Sequence, residues 1–173
     1  MPSAADYSAI EHLRDGSRIE VRSLRPDDQD DMLAAVDRTT VQSRQRRFFA
    51  PKRSFSDKEI SFFMNIDFAN HVALVAQIDE DGRPVVAGGG RYIVAQPRRA
   101  ELAFVVIDAY QSKGIGTALM RHLLVIARDV GLKELTAEVL PENAAMLSIF
   151  SRFGFRSSAG DDPQVRHLTL KLS

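Results

Sequence analysis

The sequence predicts a single mixed α/β domain, built on a largely antiparallel sheet of six or seven strands with helices on both faces. Three observations predict it. Segments rich in β-branched residues alternate with segments of helical periodicity. The breaks between several strand-like runs are short turn signals of the kind that join antiparallel neighbours. A length of 173 residues with 45% hydrophobic content suffices for one sizeable core and is too short for two ordinary domains.

Taken in order, residues 1–17 are polar and weakly patterned and read as an N-terminal segment ahead of a domain spanning 18–173. Asp15-Gly16 forms a turn before Ile19–Ser23, whose alternation predicts the first strand. Pro26, with Asp27 and Asp28 behind it, opens a helix striped by Met32, Leu33 and Val36. A basic stretch from Arg44 to Arg53 separates it from a second helix, where Ser56 and Glu59 have capping-box spacing and Ile60, Phe63 and Met64 supply the apolar side. His71–Ile78 and Val85–Val94 follow as a hairpin across the turn Asp79–Pro84. Gly88-Gly89-Gly90 inside the second of these marks a bulge, a close backbone approach by substrate or a flexible kink. Pro97-Arg98-Arg99 then turns the chain into the strand Glu101–Ile107. The helix after Gly114 carries Ile115, Leu119, Leu123, Ile126, Ala127 and Val130 on one side and stops at Gly131. A strand at Glu134–Val139 ends at Pro141, and Asn143 caps a helix bearing Met146, Leu147 and Ile149 up to Gly154. Phe155–Ser157 and Val165–Leu172 close the chain as strands on either side of Ala159–Pro163.

Composition narrows the function. Lys plus Arg and Asp plus Glu are 23 each, so the molecule as a whole has no electrostatic pull toward nucleic acid or an anionic membrane. Arg44, Arg46, Arg47, Lys52 and Arg53, interleaved with Phe48 and Phe49, therefore read as a solvated face or a docking edge for substrate. The absence of cysteine removes disulfides, thiolate zinc sites and a cysteine nucleophile. His12, His71, His122 and His167 are scattered without metal-site spacing, so no metal is expected, and His122 is placed on the exposed side of its helix. The start carries no secretory pattern and no stretch is long enough to span a bilayer, which makes cytoplasmic the default location.

Chemistry concentrates between Ala100 and Thr117. A strand with one carboxylate, Glu101, leads into Gln111-Ser112-Lys113-Gly114-Ile115-Gly116-Thr117 and then a helix. Bare glycine backbone at a helix start lets successive N–H groups and the positive end of the helix dipole face one phosphorylated ligand. A coenzyme with a pyrophosphate is the inferred occupant. The dinucleotide fingerprint is disfavoured because Leu119 stands where its third glycine would be, and a phosphate loop of the NTPase type is disfavoured because Thr117-Ala118 follows Gly116 in place of Lys and Ser or Thr. A turn whose glycines serve packing alone stays as the structural alternative.

Gln111-x-x-Gly114-x-Gly116 after a strand, the long helix, Asn143, and the closing Phe153-Gly154-Phe155 resemble the acetyl-CoA signature of the GCN5-related N-acetyltransferases. The resemblance runs through nearly the whole chain in order and implies a sheet splayed where acetyl-CoA enters. His12-Leu13-Arg14-Asp15-Gly16, Arg46-Arg47-Phe48-Phe49 and Asn143-x-x-Met146-Leu147 further resemble the catalytic domain of bacterial protein lysine acetyltransferases of the Pat type, which modify acyl-CoA synthetases. By that resemblance Gln111, Lys113, Gly114, Ile115, Gly116 and Thr117 bind the pyrophosphate, Asn143 contacts the pantetheine arm, and a backbone N–H near Val105 or Val106 faces the thioester carbonyl.

A lysine ammonium, with a pKa near 10.4, must lose a proton before it attacks a thioester. Glu101 is the candidate base, acting directly or through a bound water, and an apolar strand around it would desolvate its carboxylate; the alternative is an exposed residue at a strand start. Family members often carry a tyrosine four residues before the glycine of the last helix as an acid for the thiolate; Phe150 stands here, leaving water, Tyr110 or another donor. Without cysteine, direct transfer in a ternary complex is expected. The acceptor is read as a protein lysine, in particular on an AMP-forming acyl-CoA synthetase. The alternatives are a small-molecule amine, a protein N-terminus, or a non-catalytic acetyl-CoA sensor.

Overall fold

The computed structural model describes residues 6–30, 57–64, 66–106, 113–158 and 165–172. The predicted helix stripe at Met32, Leu33 and Val36, the basic stretch Arg44–Arg53, and Ser56, Ile107, Tyr110, Gln111 and the 159–164 loop lie outside these residues.

Among the described residues eight strands form one sheet: β1 (Ser8–His12), β2 (Arg18–Ser23), β3 (His71–Glu80), β4 (Arg83–Gln96), β5 (Arg99–Val106), β6 (Glu134–Val139), β7 (Arg156–Ser158) and β8 (Arg166–Lys171), in the order β1-β2-β3-β4-β5-β6-β8-β7. Every pairing is antiparallel except β5 with β6. The mixed α/β class and largely antiparallel sheet therefore hold, with one strand more than the upper count expected. The extra one is β1, which pairs with β2 ahead of the Asp15-Gly16 turn. Ser8, Ile10 and His12 stay exposed and only Ala9 and Glu11 are half-buried, so no apolar run announces it.

The hairpin of β3 and β4 fits its sequence closely. Asp81 and Gly82 both have positive φ, 51° and 84°, the geometry that joins two strands without splaying them. Within β4 the glycine run does two things. Ala76 pairs with Gly88 but Gln77 with Val86, so Ala87 is the extra residue of a bulge. A Cβ at Gly88 would stand 2.7 Å from the Val105 carbonyl oxygen of β5, so only glycine allows that approach. The kink is thus a packing device between strands.

Three helices are described: α1 (Asp57–Met64), α2 (Ile115–Asp129) and α3 (Ala144–Arg152). The apolar stripe of α2, including Ile115, Leu119, Leu123, Ile126 and Ala127, is buried against Val72, Leu74, Tyr92 and Leu102 on one sheet face. Val130, expected in that stripe, is 56% exposed because the helix has already ended and Gly131 turns the chain away with φ 84°. The side chain of α3 Phe150 joins the same core, while Met64 at the end of α1 and Ile66 cover Leu24, Ala73, Val75 and Val86 on the other face. Pro26–Asp28 begins as a 3-10 turn, and Asp28 is buried, not a solvated first-turn carboxylate. It takes two bonds from the Arg22 guanidinium, 2.8 and 2.9 Å, and one from the Arg25 backbone N–H.

Candidate functional site

The site is made by two strands that part. Strands β5 and β6 run parallel but pair only over Arg99–Glu101 and Glu134–Thr136, after which they diverge. The backbone of Ala103–Val106 is left facing a cleft of about 690 Å³, whose walls also include β6, the N-terminal turn of α2 and one side of α3. Such a gap opens the sheet between two otherwise paired strands. It gives an extended ligand access to backbone donors that a neighbouring strand would otherwise take.

Gly114 stands at the mouth as the N-cap of α2 with φ 97° and no side-chain cap bond. The first amides of a helix have no intrahelical partner, so the N–H groups of Ile115, Gly116 and Thr117 face outward at the positive end of the dipole. A Cβ at Gly114 would meet only Leu13 Cδ2, 3.8 Å away, whereas one at Gly116 would press on Ile149 Cδ1 at 3.1 Å. The first glycine therefore serves the turn and the second serves helix packing. Lys113 lies 3.7 Å from Asp15, and Arg152 of α3 donates to the Thr117 hydroxyl at 3.2 Å. These residues fit a pyrophosphate, being bare amides with lysine and arginine at the rim.

Glu101, Val105, Val106, Lys113, Gly114, Ile115, Gly116, Thr117 and Asn143 all line this one cleft; Gln111 is outside the described residues. Glu101 departs from expectation in one respect. Its neighbours Ala100 and Leu102 are buried under α2, so strand alternation sends its side chain to the opposite face, where it is exposed. Desolvation by the apolar strand does not occur. Asn143 spends its side-chain oxygen on capping α3, accepting from the Met146 N–H at 3.3 Å. Phe150 is 2% exposed and makes edge-to-face contacts with Phe104 and Phe155 at 5.9 and 4.8 Å, so it packs the core behind the cleft.

Several wall residues carried no signal in spacing alone. Glu11, His12, Leu13 and Arg14 reach the cleft because β1 and its turn lie beside α2, as does Arg121 from α2 itself. Only the family-like run His12–Gly16 pointed there. His122, expected on the exposed side of α2, is half-buried. Its ring bonds the Tyr7 hydroxyl through Nδ1 and the Glu11 carboxylate through Nε2, and Arg121 holds the other Glu11 oxygen. Burial, with help from the Glu11 charge, raises the Tyr7 pKa. This cluster ties β1 to α2 and fixes the cleft wall. Glu138 of β6 also lines the cleft, with His167 of β8 3.6 Å away. No metal-holding group of His, Asp and Glu occurs among the described residues, and no described helix is long and apolar enough to cross a membrane.

A parting parallel strand pair with a helix mouth at its open end suits an extended ligand with an anionic group, as the carrier of a transferred group would be. The chain belongs to the GNAT family of acetyltransferases, whose model matches residues 38–155. It is 30% identical over 161 residues to an acetyltransferase of Pseudomonas aeruginosa, covering 91% of this chain and 87% of that protein. It is 31% identical over 144 residues to the acetyltransferase Pat of Mycolicibacterium smegmatis, where the match covers 82% of this chain and 42% of that protein. Among solved structures, the GNAT domain of S. lividans PAT superposes with a TM-score of 0.88 at 30% identity, covering 99% of both chains.

Proposed function

We propose that this acetyltransferase moves an acetyl group from acetyl-CoA to the ε-amine of a protein lysine. Glu101 acts as general base, and transfer is direct within a ternary complex. One arrangement carries the reading: Glu101 and the amide cradle line the same cleft, with the carboxylate facing away from the side on which α2 packs. The donor enters along the helix mouth and the acceptor reaches the thioester from the Glu101 side.

In this reading the coenzyme supplies an acyl carbon activated as a thioester. Lys113, Gly114, Ile115, Gly116 and Thr117, with Gln111, hold its pyrophosphate, and Asn143 adjoins the pantetheine arm. A backbone N–H at Val105 or Val106 bonds the carbonyl oxygen, where charge develops during attack. Glu101 removes a proton from the lysine ammonium; the C–N bond forms, the C–S bond breaks, and the second proton shed by the amide nitrogen passes through water to the departing thiolate, whose thiol has a pKa near 8.5. The exposed position of Glu101 suits this role, because an acceptor on a protein must reach the base from solvent. The resemblance to Pat-type domains supports a protein acceptor, with an AMP-forming acyl-CoA synthetase as the leading partner. A cytoplasmic setting accords with both substrates.

The test combines labelled acetyl-CoA, a soluble lysate and mass spectrometric mapping of acetylated lysines. Labelled lysines with the wild type, and a fall of at least about 100-fold in kcat/KM for Glu101→Gln on a lysine peptide, are expected. Label confined to small amines would reassign the acceptor, and full activity of Glu101→Gln would remove the base.

A further inference from the structure

The acceptor side of the cleft carries a second carboxylate that the chemistry above does not use. Along β6, Leu135, Ala137 and Val139 face the core under α2, so Thr136 and Glu138 point to the other face, the one that bears Glu101. Glu101 pairs in register with Thr136, and Glu138 lies two residues further along, on the opposite wall of the gap. Two residues of strand rise and one strand spacing set the Glu101 and Glu138 Cα atoms roughly 8 Å apart before divergence widens the distance. Glu138 is 39% exposed, and its partner among the described residues is His167, directly opposite on β8, at 3.6 Å.

Among the described residues, two cations on the same sheet face are engaged elsewhere. Arg99 bonds Glu134 at 2.8 Å, and Arg91 is buried against His71 at 3.0 Å. The two carboxylates therefore differ in what they can do. Glu101 accepts the proton of the reacting ammonium, whereas Glu138, on the far wall, keeps its charge for a cation that does not react.

We infer that Glu138 is a specificity-determining residue that reads a second positive charge on the acceptor, favouring a lysine with a basic residue two positions away. In an extended peptide, side chains two residues apart point the same way and are roughly 7 Å apart, a span of the same order as the roughly 8 Å from which the two walls diverge. The inference rests on the lysine reading, and it names the class of lysine preferred.

The experiment compares two peptides that differ only two residues from the acceptor lysine, one with arginine and one with glutamine. The readout is the ratio of their kcat/KM values, which a general loss of activity does not move. The wild type should prefer the arginine peptide by about threefold, as an exposed ion pair allows, and raised salt should erode the preference. In Glu138→Gln the ratio should fall to one, and in Glu138→Lys it should invert toward a peptide with glutamate at that position. A wild-type ratio of one, or a preference that survives in Glu138→Gln, overturns the inference while leaving lysine acetylation standing. If neither peptide is acetylated but free amines are, the lysine reading fails instead. The same ratio, read with a diamine against a monoamine of equal length, then decides the role of Glu138, and a flat ratio overturns it.

Discussion

Replacing Asp28 by alanine strips a buried arginine of its counter-charge. The Arg22 and Asp28 side chains are 6% and 5% exposed, and the carboxylate takes both guanidinium bonds as well as the Arg25 N–H at 2.6 Å. Removing one partner of a buried pair costs about 3–5 kcal/mol, since the remaining charge is stranded away from water. Gln77 still accepts from Arg22 at 2.9 and 3.1 Å, which places the expected loss at the lower end, about 3 kcal/mol. Urea unfolding followed by circular dichroism measures it, and a loss below about 1 kcal/mol would refute the reasoning. The pH dependence supplies an independent check. Burial alone would raise the Asp28 pKa, but the bonds from Arg22 and Arg25 outweigh it and hold the group below the ordinary 3.8. On acidification the unfolded chain then takes up the proton first. The contribution of Asp28 is present in full above the unfolded value and is lost as the pH falls through the folded one. Asp28→Ala should flatten that part of the acid limb.

The other predictions concern backbone and core. Gly114→Ala, at φ 97°, should cost about 1 kcal/mol and raise the KM for acetyl-CoA, whereas Gly116→Ala meets only the flexible side chains of Ile149 and Met146 and should stay within about 0.5 kcal/mol. Thermal unfolding and donor titration separate the two, and equal effects would contradict the assigned division of labour. Gly88→Ala drives a Cβ onto the Val105 carbonyl oxygen, and a loss of about 2 kcal/mol in urea unfolding is expected. The Tyr92 hydroxyl is buried without a hydrogen-bond partner among the described residues, and burial pushes its pKa up to about 12. Tyr92→Phe should therefore leave the midpoint of urea unfolding unchanged or raise it slightly.

Local signals proved most readable where one chemical requirement acts alone. Asp81-Gly82 calls for positive φ at two successive residues, and the β3–β4 hairpin turns there. Glu134–Val139 alternates and ends before a proline, and β6 has those bounds. The parting of β5 from β6 came from family likeness, because strand pairing across more than thirty positions leaves no local trace. Glu101 was expected to be desolvated since the residues around it are apolar, but alternation divides a strand between two environments, and Ala100 and Leu102 belong to the other one. His122 was misplaced for a related reason. Helical periodicity put it away from the α2 core, and only the return of β1 over that flank supplied Tyr7 and Glu11 to cover it.

The lengths of the strands have a consequence for solubility. The sheet is widest at β3 and β4, ten and fourteen residues long, while its two borders are β1, with five, and β7, with three. A border strand invites docking of a foreign chain in proportion to the ladder it leaves unsatisfied. Here β3 and β4 each lie between two neighbouring strands, and the borders present the polar His12 and the charged Arg156, a short hem against fibril-like stacking.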